Sequence, residues 1–117
     1  MIDSWIREVK ESCDPAQLGM ILMHNGVVRG TSKGGKPVRK LKLTHDRDKL
    51  MACIAEMKKR DGIVDVRAWI NEGILRIGDD IMYVLVAGRF RTDVLPALQE
   101  LLTFIKTAVV SEEEVLE

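Results

Sequence analysis

The amino-acid sequence predicts an α+β domain with three helices and a mixed or mostly antiparallel sheet. Three observations predict it. Apolar residues recur at helical spacing in three windows, and crowd or alternate at strand length in five others. The order is helix, two strands, helix, three strands, helix, without an internal repeat. Asn71-Glu72-Gly73 and Gly78-Asp79-Asp80 separate the last three strands at hairpin distance.

In chain order, residues 3–12 read as a short helix. Asp3 or Ser4 can cap it, and Trp5, Ile6 and Val9 share a face. Asp14-Pro15 stops it. Residues 18–29 are an apolar run, expected as a buried strand bent at Asn25-Gly26. Gly30 to Pro37 holds three glycines and reads as a loop. Residues 38–44 alternate apolar and basic, the mark of a half-buried strand. Asp46 then caps a helix to about Arg60, with Leu50, Met51, Ile54 and Met57 as its core stripe. Gly62 closes that helix in the left-handed region. Strands follow at 63–70, around 74–77 and at 81–87. A last helix spans about 92–107, turning Val94, Leu98, Leu101, Leu102 and Ile105 inward.

With 117 residues, the chain is expected to build one core. Cations and acids balance at 18 each and aromatics are 4%. Little net field and few rings to stack bases exclude a general nucleic-acid binder. The balance hides an asymmetry, because Glu112, Glu113, Glu114 and Glu117 leave residues 1–110 with 18 cations against 14 acids. The domain is therefore expected at residues 1–110, with an acidic tail at 111–117. That tail is either a solvated end, as terminal charge runs usually are, or a cover over a basic surface. Asp3, Arg7 and Glu8 interrupt any leader-like apolar run and no stretch reaches membrane-span length, so a cytoplasmic protein with no membrane partner is expected. Cys13, Cys53, His24 and His45 lack metal-ligand spacing, and neither a metal nor a cofactor is expected.

Chemistry concentrates in two places. Gly26 to Lys42 carries six cations and no acid. Its glycines let backbone N–H groups turn toward a ligand, and Arg29, held at the end of an apolar strand, can fork onto a phosphate or carboxylate. Lys33, Lys36, Arg39 and Lys40 read as loop and surface charge. The second place is Arg89 and Arg91, between a strand end and a helix N-terminus. They are either an anion site or two exposed arginines. Lys106, in the last turn of the final helix, by itself only suits the helix dipole.

The order of Asp14-Pro15, Gly19, Asn25-Gly26-Val27-Val28-Arg29-Gly30 and Gly34-Gly35-Lys36 resembles the large catalytic subunit of molybdopterin synthase. So do Gly62-Ile63-Val64-Asp65-Val66, the hairpin Glu72 to Asp80, and the helix ending Lys106-Thr107. The resemblance runs over about residues 13–107. It implies that family's fold, of the α/β hammerhead type, and its chemistry: conversion of a cyclic pyranopterin monophosphate to a dithiolene. It also implies a homodimer and a small ubiquitin-like sulfur-carrier subunit whose Gly-Gly thiocarboxylate enters the pocket. Carried over by position, Arg29 and Arg91 would bind anionic substrate, and Arg89, beside Arg91 at the strand end, is expected to join them. Lys106 would be the catalytic lysine, polarising or holding the donor acyl group with a pKa lowered by Arg29 and Arg91.

Two departures stand beside the likeness. Phe90 takes the place of a histidine, and Glu113 that of a second lysine. A carboxylate beside an anionic substrate is unfavourable. The alternative is thus a non-catalytic homologue that binds a pterin phosphate or a ubiquitin-like partner.

Overall fold

The structure, a computed structural model, describes residues 1–116. Helix α1 spans Ile2–Ser12, strand β1 Met20–Val27, β2 Val38–His45, helix α2 Arg47–Lys58, and β3 Ile63–Ile70. Strand β4 spans Gly73–Arg76, β5 Asp80–Gly88, helix α3 Arg91–Phe104, and β6 Val110–Leu116. A π-helical turn, Ile105–Val109, joins α3 to β6.

The expected single sheet is two. One has the order β1-β5-β3 and the other β4-β2-β6, each antiparallel throughout. The split follows from β5. Val84, Leu85, Val86 and Ala87 are all fully buried, because helices cover both faces of that strand. Val84 and Val86 belong to the main core, where α2 packs on β3 and α3 crosses β5 and β1. Leu85 and Ala87 meet Val9, Trp5 and Ile6 of α1 on the other face. The second sheet covers only one face: Leu41, Leu43 and Leu75 enter the main core while Lys42 and Ile74 stay exposed.

Local chemistry explains several boundaries. Asp46 caps α2, its Oδ1 accepting from Lys49 N at 3.1 Å. Leu50, Ile54 and Met57 are buried, but Met51 lies outside the stripe and is 52% exposed. Helix α1 starts at Ile2 with Met1 in the N-cap position and no side-chain cap, so neither Asp3 nor Ser4 plays that part. Gly62 adopts φ +83°. The bend at Asn25-Gly26 is a β-bulge: Gly26 pairs with Met82 and Val27 with Asp80, leaving Ile81 unpaired.

The largest correction concerns the chain's acidic end. Ser111–Leu116 is neither a solvated end nor a loose cover. It forms β6, antiparallel to β2, with Glu112 opposite Leu43, Glu113 opposite Lys42 and Glu114 opposite Leu41. Glu117 lies outside the described residues.

The joint between β5 and α3 is tight. A Cβ on Gly88 would run into the Gly62 carbonyl and come within 2.8 Å of Val94 Cγ2. Gly88→Ala is therefore expected to cost roughly 3 kcal/mol in urea unfolding, at the upper end for overpacking. Gly34→Ala, which meets only Ser32 Oγ at 3.8 Å, should stay within about 0.5 kcal/mol of the parent.

At the other end of β5, Asp80 accepts hydrogen bonds from the Tyr83 hydroxyl and from Asn25 Nδ2, the latter at 3.1 Å. The Tyr83 bond first and the Asn25 bond second hold the Asp80 carboxyl below its ordinary range. Such a depressed pKa contributes stability above the unfolded value, about 3.9, and the contribution fades as pH falls through it. Tyr83→Phe should thus be less stable than the parent at pH 7 and approach it below about pH 3. Urea melts at both pH values check this. A deficit that does not change with pH would assign the loss to packing.

Candidate functional site

Strand β1 leaves its sheet at Val27, and Val28 continues the pairing by exchanging hydrogen bonds with Gly78 and Asp79. Arg29 follows at once. Its Nε donates to Thr31 O at 2.9 Å, which leaves both terminal nitrogens free of that bond. The segment beyond is a closed hairpin tip, where Ser32 N donates to Lys36 O, Gly35 N to Ser32 O and Val38 N to Gly30 O. Gly35 sits at φ +84°, which glycine alone adopts without strain.

Lys106 reaches the same place by another route. Helix α3 starts at the far end of β5 and runs back along it, so its last turn ends near the start of β5. The turn bearing Lys106 is π-helical, a wide geometry enriched at functional sites. The flanking Ile105 and Val109 are buried and fix it in the core.

A pocket of about 290 Å³ lies between these elements. Val27, Val28, Val38, Leu41 and Ile81 form its apolar wall, and the bulge is what turns Ile81 into it. Arg29, Lys33 and Lys106 bring positive charge, and Glu112 and Glu114 bring negative. With cations outnumbering carboxylates, the arrangement can hold an anion against a partly apolar surface.

A family model described as "MoaE protein" matches residues 2–108. The chain belongs to the MoaE family. This is the family of the molybdopterin synthase large subunit, and its field is molybdenum cofactor biosynthesis. No curated protein matches the chain in sequence. Among solved structures, the molybdopterin synthase of Staphylococcus aureus is similar at 22% identity. The match covers 96% of this chain and 84% of that one, with a TM-score of 0.77. Molybdopterin cofactor biosynthesis protein E of Burkholderia multivorans is similar at 23% identity, covering 100% and 82%, with a TM-score of 0.78. A Helicobacter pylori complex of subunits 1 and 2 of molybdopterin-converting factor shows 13% identity, covering 99% and 76%, with a TM-score of 0.76. At these identities the structures establish the shared fold.

Within this MoaE-family fold, the four residues expected at the site do not come together. Arg29 and Lys106 line one pocket; Arg89 and Arg91 do not. The helical stretch between Arg91 and Lys106 rises about 20 Å, which puts the two at opposite ends of that stretch. Arg91 opens α3 as an exposed side chain. Arg89 is occupied with the fold: Nη2 lies 3.3 Å from Asp61 Oδ2, Nε lies 3.6 Å from Asp93 Oδ2, and the guanidinium stands 5.1 Å from the Phe90 ring centre. It clamps the joint that Gly62 and Gly88 make.

Sequence reasoning also missed three pocket residues. Lys33 reads in the sequence as surface charge, yet the hairpin tip brings it to the pocket lining. Glu112 and Glu114, not Glu113, face the cavity, because strand alternation sends Glu113 to the side of Lys42. A usable signal was present in the strand-forming residues Val109-Val110 and Val115-Leu116 on either side of the acids.

Arg29→Ala is expected to weaken inorganic pyrophosphate binding about tenfold in calorimetry while leaving the melting temperature nearly unchanged. Arg89→Ala should do the reverse, lowering stability without affecting binding. Equal losses of affinity in both variants would place the anion elsewhere.

Proposed function

We propose that this chain is the large subunit of a molybdopterin synthase. It binds a cyclic pyranopterin monophosphate and receives sulfur from the thiocarboxylate of a small ubiquitin-like carrier ending in Gly-Gly. The observation that carries this reading is that a MoaE-family chain brings Arg29 and Lys106 to one pocket from elements distant in sequence. The complex of subunits 1 and 2 from Helicobacter pylori supports a small-subunit partner.

The roles follow from the chemistry of the groups. Arg29 presents paired N–H donors to the cyclic phosphate. The apolar wall of Val28, Val38 and Ile81 suits a fused ring and limits water beside it. Lys106 stands where developing negative charge on the carrier's acyl group needs a cation, and stabilising such charge from a fixed position is the larger part of acyl-transfer catalysis. Arg91 joins the same site only from a second copy, which the proposed homodimer supplies.

A second reading, a homologue that binds without turnover, is favoured by Glu112 and Glu114, whose charge opposes an anionic substrate. Reconstitution separates the two. The chain, a thiocarboxylated small subunit and the cyclic precursor are expected to yield molybdopterin, and Lys106→Ala should lower turnover about a hundredfold. Absence of product beside an active homologue overturns the enzymatic reading. In the same assay, Arg91→Ala and Lys106→Ala copies mixed after subunit exchange should recover about a quarter of parental turnover, the share of sites in a random two-fold dimer that hold both residues. No recovery rules out a site shared between copies.

A further inference from the structure

Glu112 and Glu114 are two residues apart on one face of β6, so their carboxylates rise from the strand about 7 Å from one another. The ladder to β2 holds them there: Glu112 stands opposite Leu43 and Glu114 opposite Leu41, and both leucines are buried. Facing them across the pocket are Arg29, Lys33 and Lys106. The ion pairs formed among the described residues lie elsewhere, at Arg67 with Glu8, Arg60 with Glu100, Arg89 with Asp61 and Asp93, and similar sites. Positive and negative groups therefore share one cavity without neutralising one another in direct contact.

A bare phosphate anion is held in such a cavity but uses only part of it, being drawn by three cations and opposed by two carboxylates. A ligand with an anionic group at one end and a row of N–H donors at the other satisfies both sides. A 2-amino-4-oxopyrimidine edge has that row, because its ring N–H and exocyclic amine are parallel donors. They match the two oxygens of one carboxylate as a guanidinium does.

We propose that Glu112 and Glu114 are specificity-determining residues: one of these carboxylates accepts the paired N–H groups of the ligand's 2-amino-4-oxopyrimidine edge while Arg29 and Lys33 take its anionic group. This rests on the pterin phosphate reading above and deepens it. The carboxylates select the aminated ring and exclude its dioxo counterpart, which offers a carbonyl where the amine should be. Facing that carbonyl, a carboxylate meets an acceptor with an acceptor, and the lost contact is not replaced.

Calorimetric titration of the full chain with pterin-6-carboxylate and with lumazine-6-carboxylate tests this, since the two differ in the 2-amino group. The pterin is expected to bind about tenfold more tightly. The double variant Glu112→Gln, Glu114→Gln should bind both probes with that preference gone, and circular dichroism should show its fold intact. If the double variant unfolds, the single substitutions E112Q and E114Q carry the test, and the preference should vanish in one of them. Equal affinities in the parent, or a preference that survives every substitution, overturn the proposal. So does the absence of binding by either probe. A parallel titration with the cyclic precursor keeps the two levels apart: if the precursor binds, the pocket reading stands although the carboxylates' role has failed, and if it does not, both fall.

Discussion

The reversal of the chain from β5 into α3 is the constraint on which the rest of the molecule depends. Gly88 approaches the Gly62 carbonyl too closely for any side chain, and Arg89 N donates to that same carbonyl at 2.8 Å. The Arg89 guanidinium then faces Asp61 and Asp93, tying the α2-β3 turn to the first turn of α3. Held in this way, α3 has one direction open to it, back along β5. It ends where β1 releases the chain at Val27. The pocket is thus fixed by a joint roughly the length of β5 away, which is about 30 Å for a nine-residue strand.

How much of this is legible in the sequence depends on how local the cause is. Asp46 caps α2 and Gly62 ends it because the physics of both lies within a few residues. The bulge at Gly26 is legible for the same reason. Met51 is not, since its place on the helix is decided by which neighbour α2 meets. Arg89 and Arg91 mislead in an instructive way. Two arginines before a helix N-terminus look like an anion site, but Asp61 and Asp93 already face Arg89: Asp93 stands at i,i+4 spacing, yet Arg89 precedes the helix that would make that spacing a contact, and Asp61 lies far back in the chain.

The acidic end shows the opposite error. Three consecutive glutamates and a terminal position argue for a solvated segment, and intrinsic strand preference for glutamate is low. The ladder to β2 overrides that preference, and Glu113 finds a cation, Lys42, directly across it. A strand of this sort is specified by its partner, so periodicity within it carries little information. Its charge also suits its position at the edge of the β4-β2-β6 sheet, where glutamates discourage pairing with a further strand.

The acidic end and the hairpin tip that carries Lys33 meet at the pocket and give it its character. Lys106 arrives on a π-helical turn pinned by Ile105 and Val109, Arg29 is tethered to Thr31, and the glutamates are held by the β2 ladder. These restraints set the backbone positions from which the charged side chains reach into the pocket, and the ion pairs among the described residues form elsewhere. The pocket thus has a positive and a negative side, and a ligand that matches both finds the backbone already in place. The same β6 that opposes a simple anion therefore sharpens the choice among larger ones, and both effects come from a single strand whose backbone is set by β2.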